Sequence, residues 1–248
     1  MSPVAPWKSL SIIVPAFNEA AGIAKAIDEI QKYAGRRFDS FEIIVVDDGS
    51  RDATAGIVGA LQASIHQLRL IRFHVNKGKG ASVREGMLSA ASDLMLMCDA
   101  DLSAPIGAVE MLLPWIAGGA DVVIGSRALK DSRIRVRQPP YRELMGKLFG
   151  VATRAVTGIA LRDTQCGFKL FTRKAGRLIF GLARINRFAF DVEALLIAQR
   201  AGLQIREVPI EWSNSRDTRV RLLADSLSMA CDLIRIRRND RAGIYAAR

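Results

Sequence analysis

Short apolar runs recur along the first half of the chain, at residues 10–14, 43–46, 68–73, 94–98 and 122–124. Turn-forming and polar residues bound each run, so each predicts a buried strand. Stretches of helix length lie between them, over residues 19–33, 52–65, 78–91 and 105–117. Continuous apolar strands alternating with helices predict an α/β fold: a mostly parallel, Rossmann-like sheet covered on both faces. The pattern loosens after about residue 128. A basic stretch (Lys130, Arg133, Arg135, Arg137) leads to Pro139-Pro140 and reads as a mobile loop. Helical patterns follow over 141–157 and 190–201, then a strand over 205–211 and a last helix over 217–238.

In a parallel α/β sheet the ligand site lies beyond the carboxyl ends of the strands. Here those ends carry Pro15-Ala16-Phe17-Asn18-Glu19, Asp47-Asp48-Gly49-Ser50, Asp99-Ala100-Asp101 and Gly125-Ser126-Arg127. Acids and turn-formers therefore gather on one edge. Asp99 and Asp101, spaced i, i+2 after an apolar strand, can converge on one hard cation, Mg²⁺ or Mn²⁺, that keeps positions open for phosphate oxygens. The same acids could instead cap a turn. Asp47 and Asp48 carry two similar readings: capping the next helix, or hydrogen bonding to a base or ribose. Asn76-Lys77-Gly78-Lys79-Gly80-Ala81-Ser82 suggests a phosphate loop ahead of a helix, without the full Walker spacing. It reads equally as a plain turn with two solvated lysines.

At 248 residues, half of them hydrophobic, the chain can bury one large core, and no linker or repeat divides it. A net charge of +11 fits an anionic partner (nucleic acid, a bilayer surface or a phosphorylated small molecule) or a generally basic surface with no specific role. Aromatics are only 6% of the chain and are not interleaved with arginine, which argues against a nucleic-acid surface. Cys98, Cys166 and Cys231 form no CxxC pair, which favours a reducing, cytoplasmic setting over a disulfide or zinc framework. The start, MSPVAPWKSL, does not read as a signal peptide, and no apolar stretch reaches the 18 or so residues of a membrane span. Membrane contact is therefore expected to be peripheral.

Taken together, Ser11-Ile12-Ile13-Val14-Pro15-Ala16-Phe17-Asn18-Glu19, Ile44-Val45-Val46-Asp47-Asp48-Gly49-Ser50, Asn76-Lys77-Gly78-Lys79-Gly80, Asp99-Ala100-Asp101-Leu102 and Gly125-Ser126-Arg127 resemble family 2 glycosyltransferases of the GT-A fold. Their order and spacing fit the branch that transfers sugars to polyprenyl phosphates, over roughly residues 8 to 215. Asp163-Thr164-Gln165-Cys166-Gly167-Phe168-Lys169-Leu170-Phe171, Phe190-Asp191-Val192-Glu193 and Glu207-Val208-Pro209-Ile210-Glu211-Trp212 resemble the dolichyl-phosphate β-glucosyltransferases more than the mannosyl enzymes. Ser103, where mannosyl enzymes often have Gln, points the same way. The membrane anchor with which eukaryotic glucosyl members usually begin has no counterpart here.

The resemblance implies a catalytic domain over residues 1–215 and a basic amphipathic helix and tail over 216–248. It implies inverting transfer of a hexose, glucose from UDP-glucose, to a polyprenyl or dolichyl phosphate on the cytoplasmic face of a membrane. Mannosyl transfer from GDP-mannose and a soluble saccharide acceptor are the alternatives. Carried onto this sequence, the nucleotide sugar would lie near Pro15, Glu19, Asp47, Asp48, Lys79 and Asp99, with Asp99 and Asp101 at the metal. The sugar would sit toward Gln165 and Asp191, with Asp191 and Asp101 as catalytic residues. A phosphate acceptor is already anionic near neutral pH, so Asp191 could bind a sugar hydroxyl rather than act as a base. Arg127 and Arg142 are the expected cations for the acceptor phosphate. In the last helix Val220, Leu223, Leu227, Ala230 and Ile234 form an apolar stripe, and Arg216, Arg219, Arg221, Arg235, Arg237 and Arg238 cluster at its ends. Such a helix can lie in a bilayer interface, pack on the sheet or make a dimer contact.

Overall fold

Each of the five apolar runs forms a strand: β1 (Ser9–Ala16), β2 (Ser40–Asp47), β3 (Leu68–Arg72), β4 (Leu94–Cys98) and β5 (Val122–Ser126). The helices between them are α1 (Ile23–Arg37), α2 (Thr54–Gln62), α3 (Lys79–Ser89) and α4 (Val109–Ala117). The chain continues through β6 (Arg133–Val136), α5 (Pro140–Thr157), β7 (Phe168–Thr172), α6 (Arg173–Leu182), α7 (Phe190–Arg200), β8 (Ile205–Pro209), β9 (Glu211–Ser213) and α8 (Leu222–Arg241). The computed structural model describes residues 9–136, 139–214 and 222–246, without the side chains of Arg142 and of residues 222–227. Arg137, Arg216, Arg219, Val220 and Arg221 lie outside the described residues, as do the side chains of Arg142, Leu223 and Leu227.

Seven strands form the main sheet in the order β3-β2-β1-β4-β7-β5-β8. Every pairing in it is parallel except those of β7, which runs antiparallel to both β4 and β5. The apolar pattern does not predict β7 or the helix after it, because Lys169 interrupts the run Phe168-Lys169-Leu170-Phe171. Yet Lys169 is buried with its neighbours, so a charge sits in the middle of the sheet. α6 is started by Thr172, whose side chain accepts from the Ala175 N–H, and it buries Ala175, Ile179 and Phe180.

Period-two side-chain alternation splits the strand residues between two cores. Ile12, Val14, Val45 and Leu96 pack with Ile23, Ile27 and Ile30 of α1 and Leu112 and Ile116 of α4. Ile13, Ile44, Val46, Met95 and Met97 pack with Val83 and Met87 of α3, Ile179 of α6 and Val192 and Leu196 of α7. Both faces of the sheet are thereby covered, as expected.

Three sequence expectations need correction. The helix expected from residue 19 begins at Ile23, because the Glu19 carbonyl first accepts from Gly22 and Ile23 in a turn. The basic stretch expected as a mobile loop contains β6, which pairs in parallel with β9 in a separate two-stranded sheet. Its Arg-Ile-Arg-Val alternation exposes the arginines and half-buries Ile134, and Arg135 Nε lies 2.6 Å from Glu211. The single strand expected over 205–211 divides accordingly: β8 joins the main sheet beside β5 and β9 joins β6.

In α8 the outward and inward faces are also distinct. Ala230 and Ile234 of the expected stripe are exposed, whereas Leu233 and Ile236 are buried in the second core. Just beyond the helix, buried Tyr245 donates its hydroxyl to Glu193 Oε1 at 2.6 Å, tying the end of the described chain to α7.

Candidate active site

β4 delivers the Asp-Ala-Asp segment to the carboxyl edge of the sheet. The turn closes with the Leu102 N–H on the Asp99 carbonyl at 3.1 Å. Leu102 has φ +47, a left-handed conformation that a bulky side chain resists, so the turn holds about 1–2 kcal/mol of strain. Asp101, exposed, accepts from the Ser103 N–H (2.9 Å) and hydroxyl (2.8 Å), which orient its carboxylate. Asp99 meets Lys79 Nζ at 2.6 Å. Gly167, on the segment entering β7, lies flat against the other side of Asp99: a Cβ there would sit 2.0 Å from Asp99 Oδ2.

Lys79 reaches Asp99 because Asp48 shapes the loop before α3. The Asp48 carboxylate accepts from the Lys77 N–H (2.7 Å), the Gly78 N–H (2.9 Å) and Asn76 Nδ2 (2.9 Å). Gly78 has φ +103, and a Cβ on it would meet the Asn186 carbonyl at 2.4 Å, so only glycine fits. Burial pushes the Asp48 carboxyl up, partly opposed by those N–H groups. Burial alone would lower the Lys79 ammonium, but Asp99, Asp191 and Asp101 outweigh it and raise it. Asp48, expected at the base or ribose, thus also organises the loop, its carboxylate accepting from the protein's own N–H groups. The Asn76–Ser82 segment is not the plain turn with two solvated lysines: Lys79 is committed to the acidic cluster, and Lys77 stacks 4.3 Å from the Phe73 ring centroid.

A second ion pair lies behind the first. Lys169 Nζ stands 2.5 Å from Asp191 Oδ1 and 2.6 Å from the Cys166 carbonyl, and both side chains are almost fully buried. Burial raises the Asp191 carboxyl, against the pull of Lys169 and Lys79. Asp99, Asp101, Lys79, Asp191 and Lys169 therefore form one charged cluster at the ends of β4, β7, α3 and α7. Lys169 is the member that sequence reasoning missed. A lysine inside an apolar run is its signal, since buried lysines are almost always paired. The neighbouring Cys166 thiol is pushed up to about 12 by burial, which leaves it protonated and inert at neutral pH.

Arg127, at the end of β5, closes the edge of this cluster. Its Nε and Nη2 clasp Asp163 at 2.7 and 2.8 Å, its N–H adds a third bond at 2.9 Å, and the guanidinium lies 5.3 Å from the Trp212 ring centroid. Arg127, expected at an acceptor phosphate, has its bidentate fork on Asp163, and the pair pins the Asp163–Gly167 segment that contacts Asp99. Burial would raise the Asp163 carboxyl, but Arg127 outweighs it and holds it below the ordinary carboxylate range. A folded-state value lowered below the unfolded one contributes stability above about pH 4 and loses it as pH falls through the folded value. Asp163→Asn is accordingly expected to lose roughly 3 kcal/mol at pH 7. The gap from wild type should narrow in melts at about pH 3.

Three of the remaining expected residues, Pro15, Glu19 and Asp47, lie along the β1–β2 edge. Pro15 is buried in β1 opposite Val46, and the Glu19 N–H donates to Thr54 Oγ1 at 2.8 Å. Asp47 is fully buried, with Oδ1 accepting from the Ser50 N–H at 3.2 Å. Its Oδ2 makes no hydrogen bond among the described residues, although Arg72 Nε stands 3.4 Å away. That oxygen is closed off from solvent and faces the Arg72 guanidinium. Gln165 is half-buried beside Gly167, with its N–H on Asp163 Oδ1 at 3.2 Å. Arg142 lies in the first turn of α5.

No cluster of three His, Cys, Asp or Glu among the described residues could hold a metal ion. Asp99 and Asp101, two carboxylates on one turn, are donors of the kind a hard divalent ion takes, and such ions complete their shell with water and substrate phosphate. The attraction is already visible in Lys79, whose ammonium sits on Asp99.

A family model described as glycosyl transferase family 2 matches residues 11–180. A dolichyl-phosphate beta-glucosyltransferase of Trichomonas vaginalis is 36% identical, spanning 96% of this chain and 73% of its own length. The dolichyl-phosphate beta-glucosyltransferase of Homo sapiens is 35% identical over 94% of this chain and 76% of its own. Among solved structures, a glucosyl-3-phosphoglycerate synthase from Mycobacterium tuberculosis in complex with Mn²⁺ and UDP-Glc superposes with a TM-score of 0.66 at 22% identity, over 95% of this chain and 79% of that one. A mannosyl-3-phosphoglycerate synthase from Rubrobacter xylanophilus gives a TM-score of 0.67 at 20% identity, over 96% and 75%. These likenesses carry the GT-A fold, and with the matched family model they establish that the chain belongs to glycosyl transferase family 2.

Proposed function

We propose that the protein transfers glucose from UDP-glucose to a polyprenyl phosphate of the dolichyl type, with inversion, at the cytoplasmic surface of a membrane. The observation that carries this reading is the single charged cluster of Asp99, Asp101, Lys79, Asp191 and Lys169, in a chain whose relatives in Trichomonas, Dictyostelium, yeast and human are all named dolichyl-phosphate beta-glucosyltransferase. Asp99 and Asp101 would hold Mg²⁺ or Mn²⁺, which when bound neutralises charge on the departing nucleoside diphosphate. Lys79 brings a second cation to the same place, at the start of α3 where backbone N–H groups favour anions.

Asp191 is fixed by Lys169 and suits a donor-sugar hydroxyl. A base is not required, because the second pKa of a phosphate monoester is about 6 and the acceptor oxygen is already anionic at pH 7. What the site must supply is alignment and charge. Inversion follows from a single displacement, so the α-linked donor should yield a β-linked lipid product. The test is to supply UDP-glucose and GDP-mannose in parallel with polyprenyl phosphate and Mn²⁺, then assign the product's anomeric configuration by NMR. A β-glucosyl lipid supports the reading; an α-linked product, or transfer from GDP-mannose alone, would sink it.

A further inference from the structure

α5 carries two faces with opposite characters. At about 100° per residue, Phe149, Thr153, Val156 and Thr157 fall on one side, and these are buried or half-buried. Leu144, Met145, Leu148 and Val151 fall within an arc of about 120° on the other side. They are 59%, 38%, 57% and 57% exposed, and Ala152 on the same arc is exposed too. Large apolar side chains gathered this way on one helix face mark a contact surface rather than ordinary scatter. Exposed Lys147 and Arg154 run along one border of the stripe, together with Glu143. β6, which precedes the helix, adds exposed Arg133 and Arg135 and a Val136 that is 46% exposed.

The position of α5 in the chain gives the stripe its meaning. The chain leaves the active-site edge at Arg127, runs through β6 and α5, and returns to it at Asp163, which Arg127 clasps. Residues 128–162, which include the helix α5 of about 27 Å, are therefore an excursion that leaves and returns beside the catalytic cluster. A lipid phosphate must meet that cluster while its chain stays in apolar surroundings. No helix among the described residues is long and apolar enough to cross a membrane, and the exposed face of α5 is a lateral surface suited to that contact.

We infer that the exposed face of α5 docks on the surface of an anionic lipid bilayer, with Leu144, Met145, Leu148 and Val151 entering the headgroup–acyl boundary. Lys147 and Arg154 then meet anionic headgroups, in keeping with a net charge of +11. This rests on the lipid-acceptor reading above and adds where the bilayer lies. It moves the expected membrane contact from the last helix to α5, although α8 packs beside α5, with Arg237 Nη1 on the Val156 carbonyl, and its exposed Ile234 can join the same surface.

The experiment is co-sedimentation of the full chain with phosphatidylcholine vesicles, with and without phosphatidylglycerol. It compares wild type, Leu144→Glu/Leu148→Glu and Lys147→Glu/Arg154→Glu. Thermal melts establish that the variants fold, as substitutions at exposed positions should. Wild type should bind the anionic vesicles and lose affinity with salt. The apolar variant should bind roughly tenfold or more weakly, and the charge variant should weaken on anionic vesicles alone. Transfer to detergent-solubilised polyprenyl phosphate should persist in both variants. A folded apolar variant that sediments like wild type overturns the inference. So does a wild-type dimer that this variant turns into a monomer with unchanged vesicle binding, which would make the face a subunit contact. Wild type that transfers to solubilised lipid but never sediments overturns the docking and spares the function. Vesicle binding lost in the apolar variant, with no transfer to any polyprenyl phosphate, supports the docking and overturns the acceptor.

Discussion

Gly167→Ala is expected to cut sugar transfer by roughly a hundredfold while leaving the fold almost unchanged. An added Cβ would lie 2.0 Å from Asp99 Oδ2 and 2.4 Å from its Cγ, far inside any allowed contact. The atoms it meets belong to the end of a short side chain, so the carboxylate can rotate away at little cost in stability. That rotation breaks the 2.6 Å contact with Lys79 and, in the proposed function, withdraws one of the two carboxylates that would hold the metal. A misplacement of about 1 Å at such a point is enough to cost the rate stated. Gly59→Ala is the matched control, because nothing lies within 4 Å of its added Cβ. Turnover and calorimetric Mn²⁺ binding should both fall in Gly167→Ala and not in the control, with urea midpoints close to wild type. Full activity in folded Gly167→Ala would remove Asp99 from the chemistry.

Lys169→Met should be the most destabilising single change in the cluster, by about 3–5 kcal/mol. The methionine fits the space, but it strands the Asp191 carboxylate, 5% exposed, with its nearest cation gone. Burial already raises the Asp191 carboxyl, and losing Lys169 removes the strongest opposing influence, so the carboxyl rises further. If ionised Asp191 holds the sugar, the acid limb of the pH–activity profile should move to higher pH in Lys169→Met. Lys169→Met/Asp191→Asn should recover part of the lost stability, because no buried charge is left alone, yet stay inactive. A double-mutant cycle with no coupling would show that the 2.5 Å contact contributes nothing in solution.

The parts of the fold and site legible in the sequence share a physical reason. β1 to β5 are buried on both faces, so they read as unbroken apolar runs, and the acids at their ends fall at one edge through parallel topology alone. β7 was not legible because its one charged residue is neutralised by Asp191, a partner 22 residues away that no local pattern reveals. The same holds for Arg127 and Asp163, separated by 36 residues: a strand-end arginine suggests a free cation until its partner is seen. The loop-organising role of Asp48 is invisible in the sequence, because no local pattern shows that three N–H or amide groups of the next loop fold back onto it. β6 was hidden by its arginines, since an edge strand paired only with three-residue β9 needs little apolar content. Motif order located the site, and long-range pairing decided which of its side chains are free to act.

The most direct test of the central claim is UDP release from UDP-glucose by the purified protein with Mn²⁺, measured with polyprenyl phosphate, with 3-phosphoglycerate, and with no acceptor. The account predicts release that depends on the lipid phosphate and disappears in folded Asp101→Ala. Release that is equally fast without lipid, or that responds to 3-phosphoglycerate alone, would contradict it and leave only the family and the fold.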